Sequence, residues 1–165
     1  MLATTIADSE ARFHADPGAA RSAPTVTATL ANGRARLAAG PFNWDADLPP
    51  ALGGENHAPS PTAYLLGALA GCAVAFLHDT LAPQFGVEIA DVTAVASATS
   101  DARGLLAIDG VAPDLADLAL DIRVTSSSPT AQVDAMLAAW QARCPIYLAL
   151  LKPNAVSLTS SSVAA

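Results

Sequence analysis

Apolar and polar positions follow three different periods along this chain. From Tyr64 to Leu77 the sequence is almost uninterruptedly apolar. A helix that is apolar all round is either buried on every side or crosses a membrane. Ser60 stands where its N-cap belongs and Pro61 where its first residue belongs, so the helix start is marked twice. A second period is the alternation of strands. Thr25 to Leu30 alternates polar with apolar, Asn32-Gly33 is a strong hairpin signal, and Arg34 to Ala38 is the return strand with Arg34 and Arg36 on one face. Leu118, Leu120, Ile122 and Val124 alternate with Ala119, Asp121, Arg123 and Thr125, a strand with one wet face. Val87 to Ser97 reads as a further strand with Val87, Ile89 and Val95 on one side, and Arg103 to Ile108 as its antiparallel partner. The third period is helical: Val133, Met136, Leu137 and Trp140 fall at i, i+3, i+4 and i+7.

Punctuation sets the boundaries. Ser128-Pro129 repeats the capping pair of Ser60-Pro61. The residue before a proline avoids the helical region, so the second helix stops near Arg143, and Cys144-Pro145 opens a short helix over residues 146–152. Pro83 and Gly86 end the central helix. Pro41 to Pro59 is a long connection in which Phe42 and Trp44 either cover a cleft or anchor the loop to the core. Residues 1–23 show no clear period and read as a loose N-terminal arm with room for one short helix, leaving 24–165 as a single domain. A last run, residues 155–163, closes the sheet as an edge strand. Strands, helix, strands, helices and strand in that order make an α+β fold.

Composition narrows the partners. Hydrophobic residues make up 52% of the 165 positions but aromatics only 5%, and the mean hydropathy is +0.38. Such a core is built from small side chains in close helix contacts, and the apolar excess suits a chain that also buries surface against a second copy. The formal charge of −7 with eight Lys plus Arg opposes binding to a phosphate backbone or an anionic membrane. The apolar run is shorter than the roughly 20 residues that span a bilayer, and no secretory leader pattern opens the sequence. The expectation is a soluble, cytoplasmic protein with no nucleic-acid and no membrane partner. Three scattered histidines and two cysteines without a Cys-x-x-Cys give no zinc spacing, so no metal is expected.

The two cysteines carry what chemistry there is. Cys72 shares a helix face with Leu65, Ala68, Leu69 and Phe76, surroundings that raise a thiol's pKa and make it inert unless a cation is brought in. His78 lies about 240° round the helix from it and Asp79 has the wrong sign. An activating arginine therefore has to come from another segment, with Arg34, Arg36, Arg103, Arg123 and Arg143 as the options. By spacing alone Cys72 reads as core filler. Cys144 has two readings: a small residue capping the turn before Pro145, or a thiolate favoured by the amide groups of a helix start.

The segment Leu52 to Cys72, LGGENHAPSPTAYLLGALAGC, together with the distant Cys144-Pro145, resembles the OsmC/Ohr family of osmotically inducible and organic hydroperoxide resistance proteins. The likeness extends over roughly Thr25 to Val156. It implies an OsmC-like fold, with antiparallel sheets wrapped around long central helices in an intertwined homodimer. It also implies a cysteine-based peroxidase acting on organic hydroperoxides in oxidative-stress defence. In that scheme Cys72 attacks the peroxide and becomes a sulfenic acid, Cys144 condenses with it to a disulfide, and an external dithiol reduces the bridge with no bound cofactor. The family holds its thiolate with an arginine from the first hairpin, for which Arg34 and Arg36 are the nearest residues here. It aims that arginine with a glutamate ten residues before the cysteine. That position is Thr62 in this chain, and Glu55, in the preceding loop, is not assigned the role.

Two other functions remain on the same scaffold. One is a non-catalytic or weakly active dimer holding a small apolar ligand, motivated by Thr62 and by the Phe42/Trp44 loop. The other is a redox sensor whose disulfide alters partner contacts. Serine, histidine and carboxylate residues form no hydrolase signature.

Overall fold

Ser60 and Pro61 start the central helix as the sequence predicts. In the computed structural model, which describes residues 2–152 and 155–164, Ser60 Oγ accepts the Ala63 N–H at 3.2 Å. Helix α2 then runs over Pro61–Ala75. It does not end at Pro83. A π-helical turn over Phe76–Leu81 follows, in which Ala82 N–H reaches back to Leu77 O, and α3 (Ala82–Phe85) continues the segment. The wider turn is the physical consequence of Pro83, whose ring has no N–H and would collide with the carbonyl four residues back in an ordinary α-helix. Gly86, at φ 64°, terminates the helix in the left-handed region. The 25 residues from Pro61 to Phe85 exceed the run expected from hydropathy, and by length and composition they could cross a bilayer. Within the chain, 28% of the most apolar window of this segment is buried, and its last third carries His78, Asp79 and Gln84.

Strands form around this helix in two antiparallel sheets. The first has β1 (Thr27–Ala31), β2 (Arg34–Ala39) and β3 (Phe42–Ala46) in that order. The β1–β2 turn is Asn32-Gly33 with both residues at positive φ, 52° and 76°, the geometry of a tight two-residue hairpin. Strand β3 replaces part of the predicted long connection. Trp44 on it faces Tyr64 of α2 with ring centroids 6.5 Å apart, and Tyr64 donates its hydroxyl to Asp45 O at 2.6 Å. Trp44 is thus an anchor between sheet and helix, whereas Phe42 is exposed.

The second sheet pairs β4 (Ile89–Thr99) with β5 (Ala116–Ser126). Residues 103–108, expected to be the partner of β4, instead hold a short helix, α4 (Ala102–Leu105). Asp101 caps it by accepting the Arg103 N–H at 2.9 Å. Ala107, Asp109 and Gly110 then take positive φ, which interrupts the extended backbone three times within four residues. An irregularity between Ile89 and Asp91 shifts the alternation of β4. Val92 and Ala94 therefore face the core beside Ile89, and Val95 faces outward.

Helix α5 (Thr130–Arg143) buries Met136 and Trp140 of its predicted face together with Ala139, while Val133 and Leu137 are partly buried against the core. Its N-cap is Pro129 without a side-chain bond. Ser128 is not the cap: its Oγ accepts the Glu88 N–H at 2.8 Å and ties the loop to β4. Helix α6 (Pro145–Leu151) follows after Cys144. The core is the packing of α2 and the π turn against α5 and the inner face of the β4–β5 sheet, with Leu77, Leu81, Met136 and Cys144 fully buried.

Both chain ends differ from expectation. The arm is largely helical: α1 (Leu2–Ala15) packs on α3 and the π turn, and Pro17–Ala20 adds a 3-10 turn capped by Asp16. Residues 155–164 form no strand and are exposed, with Val156, Leu158 and Val163 among the most accessible apolar side chains. Two-stranded sheets are marginal alone, and β4–β5 depends on its helix packing.

Candidate active site

Helix α2 carries Cys72 at the start of its fourth turn, partly exposed, facing the junction of α5 and α6. That junction is set by Pro145. The residue before a proline is pushed out of the helical region, and Cys144 sits at φ −65°, ψ 115°. Its N–H still closes α5 on Trp140 O at 2.8 Å, while its side chain caps α6 by accepting the Tyr147 N–H at 3.5 Å. Cys144 is fully buried. The two sulfurs lie 3.2 Å apart as free thiols. A disulfide of about 2.05 Å needs only a small further approach of the sulfurs.

The Cys72 thiol is pushed up to about 11 from its ordinary 9.0. Burial is the main cause. The hydrogen bond with Cys144 and that thiol's charge add to it, and the Ile146 N–H at the start of α6 opposes them. At pH 7 such a thiol is ionised roughly once in 10⁴ molecules. No cationic group among the described residues contributes to its titration.

Each arginine that the sequence offers is engaged elsewhere. Arg36 pairs with Asp45 at 3.0 Å, Arg103 with Asp101 at 2.6 Å and Arg123 with Asp121 at 3.1 Å, all on exposed surface. Arg143, next to Cys144 in the chain, points away from it and donates to Gln84 Oε1 at 3.3 Å. Gln84 is itself bound to Glu10 of α1 at 2.5 Å. Arg34 pairs with Glu55 Oε2 at 3.4 Å. Neither Arg34 nor Arg36 is brought to Cys72 within one chain. Thr62 lies exposed on the first turn of α2, so no carboxylate stands at that position.

Arg34 differs from the others in its surroundings. Its side chain is only 25% exposed. It lines a cavity of about 340 Å³ with Leu30, Leu48, Leu52, Ala46 and Pro61. Beneath it, Asp47 accepts the N–H groups of Leu48 at 2.8 Å, Glu55 at 3.2 Å and His57 at 2.9 Å. These bonds, the His57 one foremost, hold its carboxyl below the ordinary range, with Arg34 adding a smaller Coulombic pull. His57 Nε2 lies 3.2 Å from the same Glu55 oxygen that takes Arg34. Sequence reasoning missed this cluster. The available signal was Asp47, an acid beside the apolar Ala46 and Leu48, six residues before Gly53-Gly54.

A second cavity lies between β5 and the helices α5 and α6, and neither cysteine lines it. It is a groove of about 450 Å³ lined by Leu118, Leu120, Ile122, Leu137, Trp140 and Tyr147, among others. Trp140 Nε1 is buried beside it with no hydrogen-bond partner among the described residues. No group of histidine, cysteine and carboxylate residues suited to a metal occurs among the described residues.

Comparison with known proteins adds family and fold. The sequence profile of OsmC-like protein matches residues 54–159, and no curated protein matches the chain. Among solved structures, the chain is similar to an OsmC-like protein from Mycoplasma pneumoniae, at 18% identity and a TM-score of 0.65 over 79% of this chain and 88% of that one. It is also similar to an organic hydroperoxide resistance protein from Elizabethkingia anophelis, at 17% identity and 0.57 over 78% and 88%. An organic hydroperoxide resistance protein OsmC from Legionella pneumophila gives 17% and 0.55 over 78% and 89%. At these identities the likeness is one of fold.

Proposed function

Since this chain belongs to the OsmC-like family, we propose that it is a thiol-dependent peroxidase that reduces organic hydroperoxides through Cys72 and Cys144. The observation that carries the reading is the 3.2 Å approach of the two sulfurs, one partly exposed and one fully buried. Relatives of this fold include proteins described as organic hydroperoxide resistance proteins.

In the first step the Cys72 thiolate attacks the terminal peroxide oxygen. The O–O bond breaks, the leaving alkoxide takes a proton to become the alcohol, and Cys72 becomes a sulfenic acid. Cys144, adjacent and water-excluded, then attacks the sulfenic sulfur, releasing water and closing the disulfide. An external dithiol returns both sulfurs to thiols and leaves as its own disulfide. No bound cofactor or metal enters, and the apolar residues around the pair suit an alkyl or aryl hydroperoxide better than hydrogen peroxide.

The first step needs a thiolate, and a thiol raised to about 11 supplies little of it. An opposite charge within about 4–6 Å typically lowers such a pKa by 1–3 units. We assign that charge to Arg34 of a second copy, in a homodimer. Arg34 is the least exposed arginine of the surface ion pairs and the one that lines an apolar cavity. The uncovered surface of the single chain supports a second copy. Gly67 and Gly71, one turn apart on α2, face open space, and Leu30 is 84% exposed. A soluble, cytoplasmic dimer with no nucleic-acid or membrane partner fits the acidic charge.

The test is a thiol count on reduced protein mixed with a slight excess of cumene hydroperoxide. The expected result is loss of both thiols and formation of one Cys72–Cys144 disulfide; survival of Cys72 refutes the reading. A second reading, an OsmC-like dimer holding a small apolar ligand, is favoured by the 450 Å³ groove and the unpartnered Trp140 N–H. It predicts a co-purifying ligand whose binding is unchanged in Cys72→Ser.

A further inference from the structure

We propose that Cys72 and Cys144 form a binding site for monosubstituted trivalent arsenicals, RAs(OH)2, which the two thiols take up together as a neutral cyclic adduct with two As–S bonds. Uptake needs only the two reduced thiols at their observed spacing and does not rest on the peroxidase reading.

Spacing selects the element. The sulfurs lie 3.2 Å apart as free thiols. A tetrahedral zinc, with bonds of about 2.3 Å, spreads two thiolates to about 3.8 Å, and a linear two-coordinate cation with bonds of that length spreads them to about 4.6 Å. Trivalent arsenic carries a lone pair and is pyramidal, with angles near a right angle; bonds of about that same length then put its two sulfurs about 3.3 Å apart. Neither sulfur has to travel, and both stand on fixed backbone. Cys72 lies within α2. Cys144 closes α5 through its N–H on Trp140 O at 2.8 Å, and its Sγ accepts the Tyr147 N–H at 3.5 Å. The thiol count then selects the class of arsenical. The chain has two cysteines, which match the two exchangeable hydroxyls of RAs(OH)2; inorganic arsenite has three and would keep one.

Charge points the same way. In the uptake step two As–O bonds and two S–H bonds break and two As–S bonds form. The thiol protons leave with the hydroxyls as two waters, and arsenic stays trivalent, so no oxidant or reductant enters. The adduct has no net charge and its formation releases no proton. A monovalent soft cation held by the same two sulfurs would leave a net negative charge. Burial already pushes the Cys72 thiol up to about 11, and no cation among the described residues contributes to its titration. An unpaired buried charge is costly, whereas a neutral adduct avoids that cost. Exposure sets the order of events. Cys72 is partly exposed and Cys144 fully buried, so Cys72 captures the arsenic and Cys144 closes the ring. The second bond is intramolecular, which typically strengthens binding by about 10²–10⁴ over one contact alone. Phe76, Ile146 and Tyr147 pack on the same core cluster as the two cysteines, apolar surroundings that suit an aryl R group.

The test titrates the reduced full chain with phenylarsine oxide, which hydrates in water to phenylarsonous acid, and follows intact mass and free thiols. The expected result is one phenylarsenic group per chain with loss of both thiols. Affinity should be the same at pH 6 and pH 8, whereas a cation that displaces thiol protons binds more weakly as pH falls. Cys72→Ser and Cys144→Ser, each left with one As–S bond, should bind about 10²-fold more weakly or worse. Should either variant fail to fold by circular dichroism, wild type alkylated at Cys72 with iodoacetamide replaces it, and the same loss is expected. Inorganic arsenite should bind more weakly than phenylarsine oxide, and equimolar zinc should not displace the phenylarsenic group. One thiol lost per arsenic, two arsenics per chain, a variant or alkylated chain that binds as tightly as wild type, arsenite binding at least as tight, displacement by zinc, or weakening as pH falls overturns the proposal. Uptake needs no peroxide. Uptake without consumption of cumene hydroperoxide defeats the peroxidase reading alone; consumption without uptake overturns the arsenical site alone.

Discussion

Oxidising the cysteine pair should stabilise the fold, and chain connectivity sets the amount. Cys72 and Cys144 are 72 residues apart in sequence. Closing a loop of that size in the unfolded chain removes roughly 15 cal/mol/K of entropy in the chain-entropy model, about 4 kcal/mol at 25 °C. The opposing term is the strain of forming the bond, which is small when the sulfurs already lie 3.2 Å apart and the backbone need not move. In a domain of about this size each kcal/mol shifts the melting midpoint by roughly 2–4 °C, so the oxidised form should melt on the order of 8–16 °C above the reduced form.

The assay is thermal unfolding by circular dichroism, at one protein concentration because the midpoint of the proposed dimer would depend on it. Protein reduced with dithiothreitol is compared with protein treated with one equivalent of cumene hydroperoxide, the disulfide being verified by mass. Cys144→Ser treated in the same way should gain nothing. A verified disulfide that leaves the midpoint unchanged or lowers it refutes the reasoning, because the bond would then strain the α5–α6 junction by as much as it restrains the unfolded chain. By linkage the same free energy holds the bridge against reduction. A dithiol, whose second thiol resolves the mixed disulfide intramolecularly, should therefore reduce it much faster than glutathione at equal thiol concentration.

Three further outcomes are expected. In reduced Arg34→Ala the Cys72 thiol should titrate near its single-chain value of about 11; because the unfolded chain gives up this proton first, stability should fall as pH rises from about 9 to about 11, read as the difference in urea unfolding from Arg34→Ala/Cys72→Ser. Leu77 is fully buried where the π turn meets α5, and Leu77→Ala should cost about 2–5 kcal/mol in urea unfolding. Gly71 faces open space on α2, and if that face meets a second copy, Gly71→Leu should yield a folded monomer in sedimentation where wild type gives a dimer.

What could be read from the sequence is what local rules determine. The start of α2 followed from Ser60-Pro61, the hairpin from Asn32-Gly33, and the α5–α6 break from Cys144-Pro145, each fixed by dihedral preference or capping within four residues. The errors fell where a distant partner decides. Residues 103–108 have strand-like composition, but Asp101 and the close approach of Gly104 to Ala112 O turn them into a helix and a bend. Pro83 read as a stop, yet packing of Leu77 and Leu81 into the core keeps the helix going at the expense of a π turn. Strand β3 was hidden because its pairing residues lie across a sheet and its apolar positions, Phe42 and Trp44, are few.

The candidate site divides along the same line. Cys72 and Cys144 stand out as residue types, and their approach required the fold. Arg34 was visible as an arginine in a hairpin, but not as the one paired with Glu55 above the buried Asp47, since that depends on Asp47 reaching residues eight and ten positions on. Among the described residues, a thiol raised by burial without a cation to offset it and a half-buried arginine lining an apolar cavity that holds no thiol are each poor in isolation. In the proposed dimer each would supply what the other lacks: the arginine would offset the desolvation that raises the thiol, and the apolar surroundings would strengthen that attraction by excluding water. The single chain can then keep a protonated, unreactive Cys72 until assembly, and the rate of Cys72 oxidation should rise with protein concentration through the monomer–dimer transition, in parallel with the dimer fraction.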